Sequence, residues 1–361
     1  MENYSMYLPS YSIGETIYSQ IPSVCAPYGS AIVLIGGHRA LAAAEPGIRK
    51  GIAGSSLRIL EVFWYGGEAS YENVERLEKA PSVRKADMIF AVGGGKALDT
   101  GKCLANCLGK ALFTFPTIAS TCAATTAVSI IYNPDGSFKG PHFFERPALH
   151  AFINTAVIAK APRLYMWAGM GDTYAKYFES EVSSRGESLP HYTALGIRIA
   201  RICLDPILSY GIQALKDNEE GHASYELEQV VLSIVVTTGI VSNLVTAEHI
   251  IDYNTGLAHA VFYTLTAFPE IEQYHLHGEV VGYGVLVLLL VDGNEEEFER
   301  LYGFHREAGL PVKLSDIGLT WEKLMTVLPR IASMPDVQHN PYPVTEAMLE
   351  AAFGRLEGMG L

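Results

Sequence analysis

Four short segments carry residue types that chemistry could use. The first is Phe90-Ala-Val-Gly-Gly-Gly-Lys-Ala-Leu-Asp-Thr-Gly-Lys102. The apolar run Met88 to Val92 predicts a strand that enters Gly93, Gly94 and Gly95, and Lys96 to Leu108 reads as a helix. Three glycines leave no side chain between backbone and ligand, so their N–H groups and the positive end of the helix can receive an anion. That outlines a pyrophosphate cradle; the plainer alternative is a sharp strand-to-helix turn. It is not a Walker A loop, because no glycine stands five residues before Gly101-Lys102 and Cys103 occupies the Ser/Thr position. The usual dinucleotide fingerprint is also broken, since Leu98 stands where its third glycine would be. Lys96 and Lys102 either counter phosphate charge or sit solvated on the helix.

The second segment, Phe115 to Thr126, offers the hydroxyls of Thr117, Ser120, Thr121, Thr125 and Thr126, suited to phosphate, ribose or a carboxamide, or else to a polar turn that caps a helix. The third, Gly169-Met-Gly-Asp172, reads as a helix start with Asp172 as its N-cap. The fourth holds His259 and His277, each beside small residues at a helix end. One carboxylate and two imidazoles suit a divalent metal of zinc or ferrous type and leave positions open for a substrate oxygen. The three residues lie 87 and 18 residues apart, so a metal site here depends on the fold to assemble it.

The elements around these segments change character along the chain. Up to about residue 160, apolar runs alternate with helical ones: Ala31 to Ile35, Ile59 to Tyr65, Met88 to Val92 and Ala111 to Pro116 as strands, with His38 to Ala44 and Glu72 to Lys79 as helices. Val128 to Tyr132 and the turn Asn133-Pro-Asp-Gly136 suggest a hairpin. Such alternation argues for a parallel sheet wrapped by helices. Beyond Ala161 the patterns are helical, including Asp172 to Val182, Tyr225 to Leu244, His259 to Thr266, Val280 to Asp292, Glu295 to Ala308 and Thr345 to Glu357. The expected organisation is therefore α/β: a nucleotide-binding Rossmann-like domain over residues 1–160 and an all-helical metal and substrate domain over 161–361.

Composition narrows the function classes. The chain has 361 residues, 49% of them hydrophobic, enough to bury a large core. Its formal net charge of -13 disfavours a long nucleic-acid interface. The apolar stretches Val230 to Val245 and Val280 to Val291 read as buried helices and not membrane spans: the first carries Ser233, Thr237, Thr238, Ser242 and Asn243, and the second has only twelve residues. Met1 to Tyr18 shows no basic segment followed by an apolar one, so no signal peptide is expected. Five scattered cysteines fit a reducing cytoplasm, and Cys103 and Cys107, one turn apart, read as small core residues.

Together the segments resemble the iron-containing, or group III, alcohol dehydrogenases, in the glycerol-dehydrogenase branch of the dehydroquinate-synthase-like fold. The resemblance rests on Gly93, Gly94, Gly95, Lys96, Asp99, Thr100 and Lys102; on Pro116 to Thr121 with Tyr132 beyond it; on Gly169 to Asp172; on Ala258 to Ala260; and on His277 to Glu279. It implies an NAD(P)H-dependent dehydrogenase acting on CH–OH groups, with the cofactor in a cleft between domains. Asp172, His259 and His277 would be the metal ligands and catalytic residues, holding zinc or iron. Gly37, Arg39, Gly93, Gly94, Gly95, Lys96, Asp99, Thr117, Ser120, Thr126, Val128 and Tyr132 would bind the cofactor. The partner implied is a small-molecule substrate, with no nucleic acid and no membrane, in a homo-oligomer.

Three departures bear on the subgroup. Glycerol dehydrogenases carry an aspartate after Ser-Thr, where this chain has Cys122; the Thr-Cys-Ala-Ala run resembles the hydroxycarboxylate dehydrogenase subgroup, which reduces 2-oxo acids. A thiol removes an anion that would repel a substrate carboxylate, and deprives polyol hydroxyls of a charged acceptor. At Gly37 an aspartate that would bind the adenine ribose is missing, and His38 and Arg39 follow; Arg39 could pair with a 2′-phosphate or lie solvated. After His259, Phe262 replaces an imidazole, making the pocket more apolar. His275 is a candidate proton-relay group or a surface residue. The expected reaction is interconversion of a 2-oxo acid and a 2-hydroxy acid. The alternatives are a glycerol or small-diol dehydrogenase and, in another class, a cofactor-binding protein with degraded catalysis.

Overall fold

The computed structural model describes residues 4–249 and 253–358. Its sheet has six strands, all parallel: β1 (Tyr11–Ile13), β2 (Ala31–Gly36), β3 (Arg58–Trp64), β4 (Met88–Gly93), β5 (Ala111–Pro116) and β8 (His150–Ile153), in the order β1-β8-β5-β4-β2-β3. A separate antiparallel hairpin pairs β6 (Val128–Tyr132) with β7 (Phe138–Phe143). β2 and β4 are fully buried runs of Ile, Val, Leu, Phe and Ala, as central parallel strands covered on both faces must be. One face packs Phe90, Phe113, Phe115 and Phe152 against Ile17, Tyr18, Leu41 and Ile48. The chain runs from β2 to β3 on one side and then crosses to β4 on the other side of β2. The crevice at the carboxyl ends of β2 and β4 is thus a topological switch point, the usual ligand position in open α/β sheets.

The chain forms two compact units: residues 1–163 with 216–243, and residues 164–215 with 244–361. Residues 216–243 look like the helical part in sequence yet cluster with the α/β part. They include the helical stretch from Tyr225 onward, long and apolar enough to cross a membrane by length and composition, but with 72% of its most apolar window buried inside the protein. The second unit is helical, built on Arg163–Ser183, His191–Ile199, the first part of Asp205–Glu220, Leu257–Leu265, His277–Val291, Glu295–Ala308, Trp321–Ala332 and Glu346–Gly358.

Two local expectations are corrected. Asp172 does not open a helix; it lies inside Arg163–Ser183, with Gly169 and Gly171 helical before it. Gly171 serves a close helix crossing and not a turn. Cys107 is exposed, so only Cys103 of that pair is a core residue.

Candidate active site

In the second unit, three helices bring together the acid and both histidines. A Cβ at Gly171 would lie 2.0 Å from the Gly278 carbonyl oxygen, and one at Gly278 would lie 2.1 Å from that of Ala168. Only glycine permits this approach, and it seats the first turn of His277–Val291 beside Asp172. A third close crossing, Gly284 against the Ala258 carbonyl at 2.6 Å, brings up helix Leu257–Leu265 with His259 in its first turn. The Asp172 Oδ1 atom is 3.5 Å from His259 Nε2 and 3.4 Å from His277 Nε2. One donor atom from each residue lies within 4.8 Å of the other two. His259 is buried, Asp172 largely so, and the His277 side chain is 37% exposed, so the cluster opens on the His277 side.

Glu179, two turns after Asp172 on the same helix, has a fully buried side chain. Its Oε2 is 2.6 Å from His259 Nδ1, and its Oε1 accepts the backbone N–H groups of Gly256 and His259 at 2.9 Å each. A carboxylate can only accept, so His259 carries its proton on Nδ1 and presents Nε2 to Asp172. Burial pushes the His259 pKa down, but Glu179 and Asp172 outweigh it and bring it up to about 9. Burial likewise raises the Asp172 carboxyl, and the hydrogen bonds from both imidazoles reverse this and hold it well below the usual carboxylate range. His259 therefore holds a second proton, on Nε2 beside the Asp172 carboxylate, which a divalent cation would displace. The donor set, one carboxylate and two imidazoles with an open side, fits a divalent cation of the zinc or ferrous type.

Aromatic rings flank the cluster. Phe262 meets His277 edge-on, with ring centres 4.4 Å apart, and Tyr263 lies 5.8 Å from His259. His275 is not a free surface residue: its Nδ1 is 2.8 Å from Glu279 Oε1, while Glu279 Oε2 accepts the Leu276 N–H.

In the first unit, the glycine loop and the hydroxyl segment stand side by side at the carboxyl ends of β4 and β5. Gly93 pairs in register with Pro116 and accepts the Thr117 N–H at 3.2 Å. Gly93 has φ 147°, open to glycine alone, and a Cβ at Gly94 would meet Ile118 Cδ1 at 2.6 Å. Gly94 caps the helix Gly95–Leu108 without any side-chain cap, which leaves the first N–H groups of that helix for a ligand. The helix lies tight on the sheet through Gly101, where a Cβ would come 2.4 Å from Ala91 Cβ. Gly101 thus fills the packing role of the missing third glycine.

The remaining cofactor candidates divide by exposure. Gly37 caps the helix His38–Ile52 beside Gly93, His38 stacks on Trp64 at 5.3 Å, and Arg39 is exposed. Lys96 pairs with Glu68 at 2.7 Å and lies 4.8 Å over the Tyr132 ring. Ser120, Thr121, Cys122 and Val128 are partly exposed. Thr117 and Thr126 are buried. Lys102 is neither solvated nor turned to a ligand. It is 3% exposed, pairs with Asp99 at 2.8 Å, and donates to the Val128 carbonyl and to Thr126 Oγ1. Asp99 also accepts the Ile130 N–H, and burial raises its carboxyl pKa against the pull of Lys102. This buried pair ties the helix after the glycines to hairpin strand β6. Glu179 and Gly101 had escaped the sequence reading, and the i, i+7 spacing of Asp172 and Glu179 on one helix face was the available signal for the first.

The family described as Iron-containing alcohol dehydrogenase matches residues 9–150. The glycerol dehydrogenase of Thermotoga maritima is 37% identical over 294 residues, 78% of this chain and 77% of that protein. Hydroxycarboxylate dehydrogenase A of Escherichia coli K12 is 32% identical over 335 residues, 91% and 90% of the two chains. Among solved structures, glycerol dehydrogenase from Schizosaccharomyces pombe superposes with a TM-score of 0.84 at 25% identity, over 99% of this chain and 91% of that one. A probable glycerol dehydrogenase from Sinorhizobium meliloti 1021 gives 0.81 at 26%, over 99% of both. These relatives are dehydrogenases, and the chain is a dehydrogenase acting on CH–OH groups. The chain belongs to the iron-containing alcohol dehydrogenase family.

Proposed function

We propose that this protein interconverts 2-oxo acids and 2-hydroxy acids with NAD(P)H. The convergence of Asp172, His259 and His277 in a largely buried cluster open at His277 carries this reading. A divalent cation there would supply Lewis acidity to a substrate oxygen, and the nicotinamide cofactor the hydride. Glu179 fixes the His259 ring, Phe262 walls the open side with apolar surface, and the N–H groups after Gly94 receive the cofactor's diphosphate. Cys122 selects the substrate class, because it sets no fixed anion against a substrate carboxylate. Gly37 likewise sets none against a 2′-phosphate, and Arg39 and His38 stand ready beside it, so NADPH is accepted at least as well as NADH.

The 37% identity to a protein named glycerol dehydrogenase favours a second reading, oxidation of glycerol or a small diol. Both are tested by kcat/KM for 2-oxobutanoate reduction and glycerol oxidation, with each cofactor, in the parent and Cys122→Asp. The parent is expected to favour the 2-oxo acid, and the variant to move the ratio toward glycerol by about tenfold, roughly 1.4 kcal/mol. A parent that favours glycerol, with the ratio unmoved in the variant, overturns the 2-oxo acid reading.

A further inference from the structure

The helical stretch that looks most like a membrane span is notched around the hydroxyl segment. It runs as Tyr225–Val231, a π-helical segment Leu232–Thr237, and Thr238–Val245. A π turn is a widened turn, rare and often found at functional sites. Here the Thr238 backbone N–H and hydroxyl both go to the Ser233 carbonyl. Thr125, 1% exposed, donates its hydroxyl to the Val235 carbonyl within the π segment, and the same oxygen lies 3.1 Å from the Cys122 carbonyl. One turn on, Gly239 makes room for it: a Cβ there would fall 2.0 Å from Thr125 Oγ1. Further along, the Asn243 amide uses both ends. Its Oδ1 accepts the Ala127 N–H at 2.8 Å, and its Nδ2 donates to the Thr125 carbonyl at 2.9 Å.

We propose that Thr125, Gly239 and Asn243 form a clamp by which the π-turned helix sets the position of the Ser120–Cys122 turn, and so governs cofactor affinity and substrate preference. They are positioning residues, since all three are buried against one another and the partly exposed turn is what they hold. The Cys122 carbonyl is bonded to the Thr125 N–H at 2.9 Å as well as lying by its hydroxyl, so a shift of Thr125 carries Cys122 with it. The clamp also accounts for Asn243, a polar side chain in the buried length of an otherwise apolar helix. This inference rests on the reading that the turn faces cofactor and substrate.

The test uses the full protein. Dissociation constants for NADH and NADPH are measured by nucleotide fluorescence in the parent, Thr125→Val, Thr125→Ser and Gly239→Ala, together with metal content and the 2-oxobutanoate-to-glycerol ratio. Thr125→Val keeps the shape and loses the hydroxyl; Gly239→Ala keeps the hydroxyl and fills the notch. Both are expected to weaken nucleotide binding about tenfold or more and to change the substrate ratio, with metal content at the parent level, while Thr125→Ser retains parent behaviour. If Thr125→Val fails to fold, Gly239→Ala reads the same contact from the helix side. Parent-like nucleotide affinity and substrate ratio in a folded Thr125→Val or Gly239→Ala variant overturns the clamp. A parent that binds neither nucleotide overturns the functional reading itself.

Discussion

Glu179 leaves His259 one orientation. Its two oxygens are already committed, one to the imidazole Nδ1 and one to two backbone N–H groups at the start of helix Leu257–Leu265. Those N–H groups are the ones a helix leaves unpaired at its start, so the same carboxylate settles the helix and its histidine. In Glu179→Gln the amide can satisfy the backbone or the imidazole but not both with the right polarity, and its charge is gone. Metal affinity, read by chelator competition at fixed pH, is expected to fall about 10–100-fold, the usual cost of losing such a partner. A variant that competes as well as the parent would show that His259 needs no such anchor. Asp172, His259 and His277, which the fold brings together, were legible as candidates from residue type within their short motifs. Glu179 was not, because an isolated glutamate in a helical stretch looks like a solvated residue until the fold puts another chain segment over it.

At the scale of elements, several glycines mark close packing and not turns. Gly171 and Gly278 let the helices that carry Asp172 and His277 touch backbone to backbone, and Gly101 lets the helix after the glycines lie on β4. Read along the sequence, Gly169-Met-Gly171 looked like the break before a helix because glycine lowers helix propensity; the helix runs through it because the crossing repays that cost. Gly101→Ala tests the principle in the first unit. Its Cβ would sit 2.4 Å from Ala91 Cβ, so the helix must move off the sheet and take its cradle end along. Urea unfolding is expected to show a loss of about 1–3 kcal/mol, as overpacking costs, together with weaker nucleotide binding. Unchanged stability would mean that the helix shifts freely. The central strands were legible since buried parallel strands are continuous apolar runs. Strands β1 and β8 were not: they have three and four residues, and β8 includes His150 held between the Ser10 and Ser12 hydroxyls.

For the molecule as a whole, local pattern does not say which unit a helix joins. Residues 216–243 have the periodicity of the helical half yet group with the sheet, to which Asn243 bonds at Thr125 and Ala127 and Asn218 at Ile158, Ala159 and Ala161. Long-range placement also decides how stability responds to acid. His305 is fully buried, its Nδ1 2.8 Å from the Pro311 carbonyl and its Nε2 2.6 Å from the Tyr174 hydroxyl. The carbonyl can only accept, so Nδ1 carries the proton and Nε2 takes the tyrosine's hydrogen bond, which requires a neutral ring. Burial pushes its pKa down to about 4, against the pull of the Pro311 carbonyl. In the unfolded chain an ordinary histidine titrates near roughly 6.5. Below that pH the unfolded state takes up a proton that the folded state refuses, so stability is fully present above about 6.5 and is lost as pH falls toward about 4. From pH 7 to pH 5 this one group should cost about 2 kcal/mol of unfolding free energy. Urea unfolding at several pH values in that window, in the parent and in His305→Asn, measures it. The variant is expected to be less stable at pH 7 but to have a pH slope shallower by about one proton. Parallel slopes in the two proteins would assign the acid sensitivity to other groups.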